Sequence, residues 1–304
     1  MRFQRLLLIV NPVARTYSKA TLAVIEKALS ADFKLEVAET KERGHANELA
    51  TQAVADDLDL VVVFSGDGTV NEVVNALAGT ETAIAALPGG ATNIFVRALG
   101  FPLDAVEATG TLIGKALDDE AFKLSLGRAD GRYFAVNCGA GVDAAAMKRL
   151  DTRFPKTKKT FDRAAFRAVA WELLVRYAGR QADLEVRIDD GEALPSLSVM
   201  MGRTDPYTYY KDRPIRMTPD ASLETGLDVL SVRKLPRRSV PRVAWQVFGS
   251  ARHVHGRDID YVHDAAHVVI TSGTPFPVQV DGDSLGDHRR LEVDLAREAL
   301  WVVA

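Results

Sequence analysis

The run Leu60-Val61-Val62-Val63-Phe64, followed at once by Ser65-Gly66-Asp67-Gly68-Thr69, limits the possible folds of this chain more than any other stretch. An unbroken apolar, β-branched run has no polar face to turn to water, so it predicts a strand buried on both sides in a parallel sheet. A glycine-rich turn and an amphipathic helix must then carry the chain back over one face of that sheet. Val70, Val73, Val74 and Leu77 supply the apolar side of that helix, and Gly79 closes it. The same grammar recurs on either side. Leu6 to Val10 ends in Asn11-Pro12, and Ser18 caps a helix whose inner face is Leu22, Ile25 and Leu29. Lys34 to Ala38 reads as a strand, and Gly44-His45 precedes a helix with Ala46, Leu49, Ala50 and Ala53 on one side. Ala83 to Leu87 is a further strand, broken by Pro88-Gly89-Gly90 before a helix through Phe95 and Leu99. Repeated βα units imply a doubly wound α/β domain over residues 1–122.

After Phe101-Pro102 the pattern changes. Phe122 to Leu126, Tyr133 to Asn137, Leu184 to Ile188, Leu197 to Met201, Leu227 to Val232, His267 to Thr271, Val278 to Val280 and Leu291 to Leu295 read as short strands separated by turn residues. Amphipathic helices are predicted near Phe161 to Tyr177 and Ser239 to His253. The second domain, 123–304, is therefore an antiparallel β domain with helical insertions.

Composition narrows the function. A net charge of −3 argues against bulk nucleic-acid binding. The one cysteine, Cys138, excludes an intrachain disulfide, suits a reducing cytoplasm and reads as a small buried residue. Leu6 to Val10 is too short for a signal-peptide core or a membrane span.

Two glycine-rich turns stand at the carboxyl ends of successive predicted parallel strands, where open α/β sheets bind ligands. In the first, Gly66 and Gly68 let the backbone approach a phosphate, and the amides of the following helix point at the anion. Asp67 is placed to hold Mg²⁺ or to touch an acceptor hydroxyl, and Thr69 to donate to a phosphate oxygen. The second, Pro88-Gly89-Gly90-Ala91-Thr92-Asn93, is built the same way. One such turn is also what a plain strand-to-helix connection needs; two together favour phosphate binding. A G-x-x-x-x-G-K-[ST] loop is missing, which excludes a P-loop enzyme. Gly139 to Ala144 fits the loose dinucleotide pattern G-x-G-x-x-A but lies among β signals without a βαβ unit. The pairs His253/His255 and His263/His267 lack matching acids or cysteines and read as ordinary core or surface histidines.

Taken in order, Asn11-Pro12, Thr40 with Gly44-His45-Ala46, the run from Ser65 to Leu77, the turn Pro88 to Asn93 with Arg97-Ala98-Leu99-Gly100, Gly139 to Ala144, and Val280-Asp281-Gly282-Asp283 resemble the diacylglycerol kinase catalytic domain family, relatives of which include sphingosine and ceramide kinases. Segments such as Arg203 to Val229 resemble its actinobacterial branch. The resemblance implies an NAD kinase- and phosphofructokinase-like first domain, a β-sandwich second domain, and ATP with Mg²⁺. It implies nucleotide binding by Asn11, Thr40, Gly66, Asp67, Gly68, Thr69, Val70, Asn71, Glu72, Gly90, Thr92 and Asn93. Asp281 matches the family's general base on the lipid hydroxyl; read from the residues alone, an Asp-Gly pair is more often a turn former. Ala91 and Ile94 stand where the family has a threonine and an aspartate, and Asp283 where it has a glutamate. Glu224-Thr225-Gly226 replaces a D-G pair that holds a structural Mg²⁺ in some members, which makes Glu224 the candidate metal ligand.

The implied reaction is phosphorylation of a membrane lipid, diacylglycerol first, by a cytoplasmic enzyme that visits the inner face of the membrane. Lys148, Arg149, Arg153, Lys156, Lys158, Lys159 and Arg163 before Trp171, and Arg237, Arg238 and Arg242 beside Trp245 and Phe248, suit an anionic bilayer. Packing of two ordinary amphipathic helices explains the same residues. Relatives that dimerise make a homodimer a candidate assembly. The competing readings are a kinase of another acceptor, a sphingoid lipid or NAD, and a non-catalytic nucleotide- or lipid-binding homologue.

Overall fold

The computed structural model describes residues 3–153, 169–210 and 213–304. Two compact units form: the amino terminus to Leu126 together with Ala296–Ala304, and Gly127–Leu295.

The first unit is built on β1 (Arg5–Val10), β2 (Lys34–Glu39), β3 (Leu60–Ser65) and β4 (Ala83–Pro88), all parallel, in the order β2-β1-β3-β4. β3 and β4 are buried along their whole length, as their unbroken apolar sequences require. β2 lies at the edge and exposes Lys34, Glu36 and Val37. Helices α1 (Lys19–Asp32), α2 (His45–Ala55) and α3 (Asp67–Leu77) make the crossovers. Ser18 caps α1 by accepting from the Thr21 N–H, and Ile25 and Leu29 are buried beneath it. The chain steps from β1 outward to β2 and then returns past β1 to β3. Right-handed crossovers therefore put α1 on one face and α2 with α3 on the other, and α2 packs on α3.

α4 (Ile94–Ala98) is short, and α5 (Ala105–Leu117) packs on α1. The sequence pattern placed no helix at α5. Its signal was present: Asp104 caps it by accepting from the N–H groups of Val106 and Glu107, and Ala105, Ala108, Leu112 and Ala116 form its buried stripe. β5 (Ala121–Ala129) then leads out of this unit. The last residues of the chain return to it: Val302 pairs in parallel with Ile84, and the Gly79 N–H donates to the Ala299 carbonyl.

The second unit contains β6 (Arg132–Phe134), β7 (Asn137–Ala140), α6 (Val142–Arg153), a π-helical turn (Glu172–Tyr177), β8 (Leu184–Ile188), β9 (Leu194–Ser196), β10 (Ser198–Gly202), β11 (Thr208–Tyr210), β12 (Arg213–Ile215), β13 (Leu227–Val232), α7 (Val240–Val247), β14 (Ile259–Ala265), β15 (His267–Val280) and the part of β16 (Asp283–Val303) up to Leu295. The His267–Thr271 and Val278–Val280 segments are one strand interrupted by an irregularity, not two. Its first part pairs with β8 and its last part with β7, so β15 serves both layers of the sandwich. Phe134, Cys138, Val186, Met201, Val229, Ile270, Val278 and Leu291 pack in the core between those layers.

The Gly139–Ala144 pattern is a strand–turn–helix junction, but β7 runs antiparallel to both its neighbours, which is not the setting of a dinucleotide site. Gly141 has φ of 99°, and a Cβ there would lie 2.8 Å from the Leu197 carbonyl oxygen, so close packing explains it. The helix expected over Ser239 to His253 is divided into α7 and a 3₁₀ turn at Arg252–His255, because Ala251 takes φ of 55°. The start of the helix expected from Phe161, and Lys156, Lys158, Lys159 and Arg163, lie outside the described residues. Among the described residues no helix is long and apolar enough to cross a membrane.

Candidate active site

Sheet order β2-β1-β3-β4 places the switch in strand order between β1 and β3, and ligands bind outside the carboxyl ends of strands at such a point. Asn11, Ser65 and Thr69 converge there. The Ser65 hydroxyl donates to Thr69 Oγ1 at 2.8 Å, and Asn11 Nδ2 reaches the same oxygen at 3.5 Å. Thr40 is close along the same edge, its N–H donating to the Val10 carbonyl. Sequence reasoning missed Ser65 because it ends an apolar run, and missed Thr16 altogether. The Thr16 hydroxyl and N–H donate to the carbonyls of Pro88 and Gly89, which ties the loop after β1 to the second turn.

The two glycine turns are packed backbone against backbone. A Cβ on Gly90 would lie 2.6 Å from the Gly66 Cα, and one on Gly89 the same distance from the Ser65 Cα. Only glycine permits that approach. Gly68 is different: its φ is unexceptional, it is exposed, and a Cβ there would meet nothing within 4 Å. Its glycine has no steric reason within the chain. α3 begins at Asp67 with no side-chain cap, so its first amides and its dipole are available to an anion at the β3 end.

Other members of the motif face inward. Asp67 Oδ2 accepts from the Thr92 hydroxyl at 3.0 Å and Oδ1 from the Phe95 N–H at 3.1 Å, clamping the first turn to the second. Asn93 takes φ of 47° and closes its turn by accepting from the Gly90 N–H at 2.7 Å. Glu72 caps α2, Oε1 accepting from Gly44 N–H at 2.9 Å and Oε2 from Ala46 N–H at 3.2 Å. Val70 and Asn71 are buried, and Asn71 accepts from Asn75. Asn11, Thr40, Gly66, Gly68, Thr69, Gly90 and Thr92 thus line the carboxyl edge, whereas Val70, Asn71, Glu72 and Asn93 build it from behind. Ile94 is buried.

In the second unit Asp281 and Gly282, with φ of 47° and 85°, form the two-residue turn joining β15 to β16, and Val280 pairs with Asp283 across it. Positive φ at both positions is the signature of a type I′ hairpin. The Asp281 carboxylate is not spent on the turn. It accepts from the N–H groups of Ala135, Val136 and Asn137 at 3.1, 3.0 and 2.8 Å. Three donors from the β6–β7 connection fix the direction of an acceptor group. Asp283 pairs with Arg132 at 3.2 Å.

Among the described residues Glu224 joins no group of metal-ligating side chains. Its side chain is exposed, and the carbonyls of its loop already have a cation. Arg203, wholly buried, donates to the carbonyls of Leu223 at 2.9 Å, Gly226 at 2.5 Å and Thr225. Burial lowers the guanidinium pKa to about 10, opposed by Asp228 and Asp264, so it stays charged at neutral pH. A structural Mg²⁺ would have to displace it. Arg203→Met should therefore cost about 3–5 kcal/mol, the usual penalty for orphaning a buried charge, whereas a chelator should leave the melting temperature unchanged. Calorimetry with and without EDTA checks both; a melting point lowered by EDTA would contradict the assignment.

Comparison with known proteins agrees with this arrangement. The family described as "Diacylglycerol kinase catalytic domain" matches residues 5–121, and that described as "YegS C-terminal NAD kinase beta sandwich-like domain" matches residues 136–303. A diacylglycerol kinase of Bacillus subtilis (strain 168) is 26% identical over 289 residues, covering 92% of this chain and 90% of that protein. One of Staphylococcus carnosus (strain TM300) is also 26% identical, covering 92% and 89%. The crystal structure of a diacylglycerol kinase from Bacillus anthracis strain Sterne has the same fold, with a TM-score of 0.72 and 24% identity over 100% of this chain and 97% of that one. With both units matched in order, the chain belongs to the diacylglycerol kinase catalytic domain family and is a kinase of that lipid kinase family.

Proposed function

We propose that this kinase transfers the γ-phosphate of ATP to the free hydroxyl of diacylglycerol, giving phosphatidic acid and ADP. The observation that carries the reading is the Asp281 carboxylate, aimed by three backbone amides in a unit whose first-unit companion carries a phosphate-binding edge. The glycine turns and the α3 amino terminus hold the nucleotide phosphates. Mg²⁺ bound with the nucleotide, with Asp67 as its protein carboxylate, would offset phosphate charge. Asp281 orients the acceptor hydroxyl and takes its proton as the oxygen bonds to the γ-phosphorus and the bond to the ADP oxygen breaks.

Transfer of label from γ-³²P-ATP to diacylglycerol, sphingosine, ceramide and NAD, run in parallel with the lipids in mixed micelles, tests the acceptor. Label in phosphatidic acid is the expected result, and label on NAD alone would overturn it. Asp281→Asn, which keeps the turn because asparagine also tolerates positive φ, should lower turnover by about 10²–10⁴-fold with ATP affinity unchanged. Gly68→Val should fold normally yet bind ATP at least about tenfold more weakly, since its side chain meets only the ligand's space. Unaltered ATP binding in that variant would remove Gly68 from the phosphate site.

The lipid is met, on this reading, at the cytoplasmic face of an anionic membrane. Leu173, beside the π-helical turn's start, and Val243 of α7 pack together on Ala178, Leu197, Leu235 and Val240. That contact uses the inner residues and leaves Trp171, Leu174, Val175 and Trp245 outside, with Trp245 79% exposed. Arg149 lies over the Trp171 ring at 5.1 Å, a pairing of cation and aromatic suited to a bilayer interface. The double variant Trp171→Ala/Trp245→Ala should bind phosphatidylglycerol vesicles roughly tenfold more weakly while still phosphorylating short-chain, water-dispersed diacylglycerol. Co-sedimentation equal to the parent chain's would refute this surface.

A further inference from the structure

The turn that carries Asp281 is fixed by a second, wholly internal set of bonds. Gln279, with no exposed surface, accepts from the Gly282 N–H through Oε1 at 2.8 Å. An amide N–H can only donate, so the orientation of the Gln279 side chain is set from this end. Its Nε2 then faces two acceptors and donates to Asn137 Oδ1 at 2.7 Å and to Asp143 Oδ2 at 2.6 Å. The other Asp143 oxygen accepts from the Tyr207 hydroxyl at 2.7 Å. Asn137 closes the circuit, its N–H donating to Asp281 Oδ1 and its carbonyl accepting from the Asp281 N–H, both at 2.8 Å.

The cluster has little room to rearrange. A Cβ on Gly139 would lie 2.6 Å from Asp143 Oδ2 and 3.0 Å from Gln279 Nε2. Burial raises the Asp143 carboxyl pKa above its ordinary value, while the bonds from Tyr207 and Gln279 act to lower it. An unpaired carboxylate at this depth would be costly, and an apolar pair would pack as well with no such cost. The polar cluster instead specifies the orientation of one amide, and that amide specifies the Asp281-Gly282 turn.

We propose that Gln279 and Asp143 are positioning residues for Asp281, Gln279 holding the turn by its Gly282 bond and Asp143 holding Gln279 in the one orientation that permits it. This rests on the reading of Asp281 as the group that receives the hydroxyl proton, and the test separates the two. Measured with the lipid that accepts label, Gln279→Leu should lower kcat roughly 10–100-fold with the KM for ATP unchanged. Asp143→Ala should do the same. Asp143→Asn should recover to within about threefold of the parent chain, because its oxygen can accept from Gln279 while its amide donates to the Tyr207 oxygen. The pH profile of that variant should match the parent's, since position and not charge is retained. Should Asp281→Asn turn over normally, the base assignment fails. Should Asp281→Asn be inactive while folded Gln279→Leu and Asp143→Ala keep full kcat, positioning is overturned and the base assignment stands. Asp143→Asn as impaired as Asp143→Ala, or with a shifted pH profile, would also overturn positioning in favour of a charge effect. If Gln279→Leu fails to melt cooperatively, the comparison of Asp143→Ala with Asp143→Asn decides alone.

Discussion

The first unit depends on a close approach of two backbones. Gly66 and Gly89-Gly90 end neighbouring parallel strands, and their α-carbons are near enough that any β-carbon would collide with main chain. Strands in a sheet stand about 4.7–4.9 Å apart, and side chains normally keep the turns that follow them separate. Removing those side chains lets the turns touch and presents their amides along one edge. The clamp from Asp67 to Thr92 and the Phe95 N–H then fixes their relative position, and the cap from Glu72 fixes α3 against α2. Much of a motif that reads as ligand-binding is thus spent on making a rigid edge. Phosphoryl transfer gains from such rigidity, because its catalysis is chiefly positioning and charge stabilisation.

In the second unit the Asp281-Gly282 pair forms the turn that its sequence suggests, and the same turn aims the Asp281 carboxylate. An Asp-Gly pair is a favoured type I′ turn, and here it makes one between β15 and β16. The positive φ that the turn demands also throws the Asp281 side chain back over the β6–β7 connection, where three amides receive it. Aspartate adopts this backbone region more readily than most side chains. A residue chosen for the turn is therefore also a residue aimed by it.

The parallel half of the fold was legible because its signals are local. Leu60 to Phe64 can be little else than a buried strand, and Ser18 announces α1. α5 escaped notice because its alanine and glycine content leaves only a small apolar stripe, and its cap at Asp104 follows a Phe-Pro break that reads as a domain change. β15 was read as two strands since Ser272 to Pro275 carries turn residues, yet the chain passes through that irregularity without turning back. That the two glycine turns would meet was legible in the sequence, but the direction each of their side chains takes was not. Glu72 and Asn71 share a motif with Gly68 yet point away from the edge, and helical phase alone cannot say which side of α3 meets α2. Gln279 and Asp143 carry no motif signal for their partnership, which exists only once β15 and α6 are brought together.

Arg203 supplies, from within the chain, the positive charge that the Leu223–Gly226 loop needs. The Leu223–Gly226 loop turns its carbonyls inward and leads directly into β13, whose Asp228 is fully buried. Converging carbonyls need a positive charge, and a buried carboxylate needs one as well. A divalent ion satisfies both but must be captured after synthesis and competes with water. A guanidinium satisfies both from within the chain, with a planar set of donors that matches several acceptors at once. Asp228 accepts from the Tyr261 hydroxyl through one carboxylate oxygen, and its other oxygen lies 2.8 Å from His263 Nδ1. With the loop carbonyls bonded to Arg203, the side chain of Glu224 faces solvent.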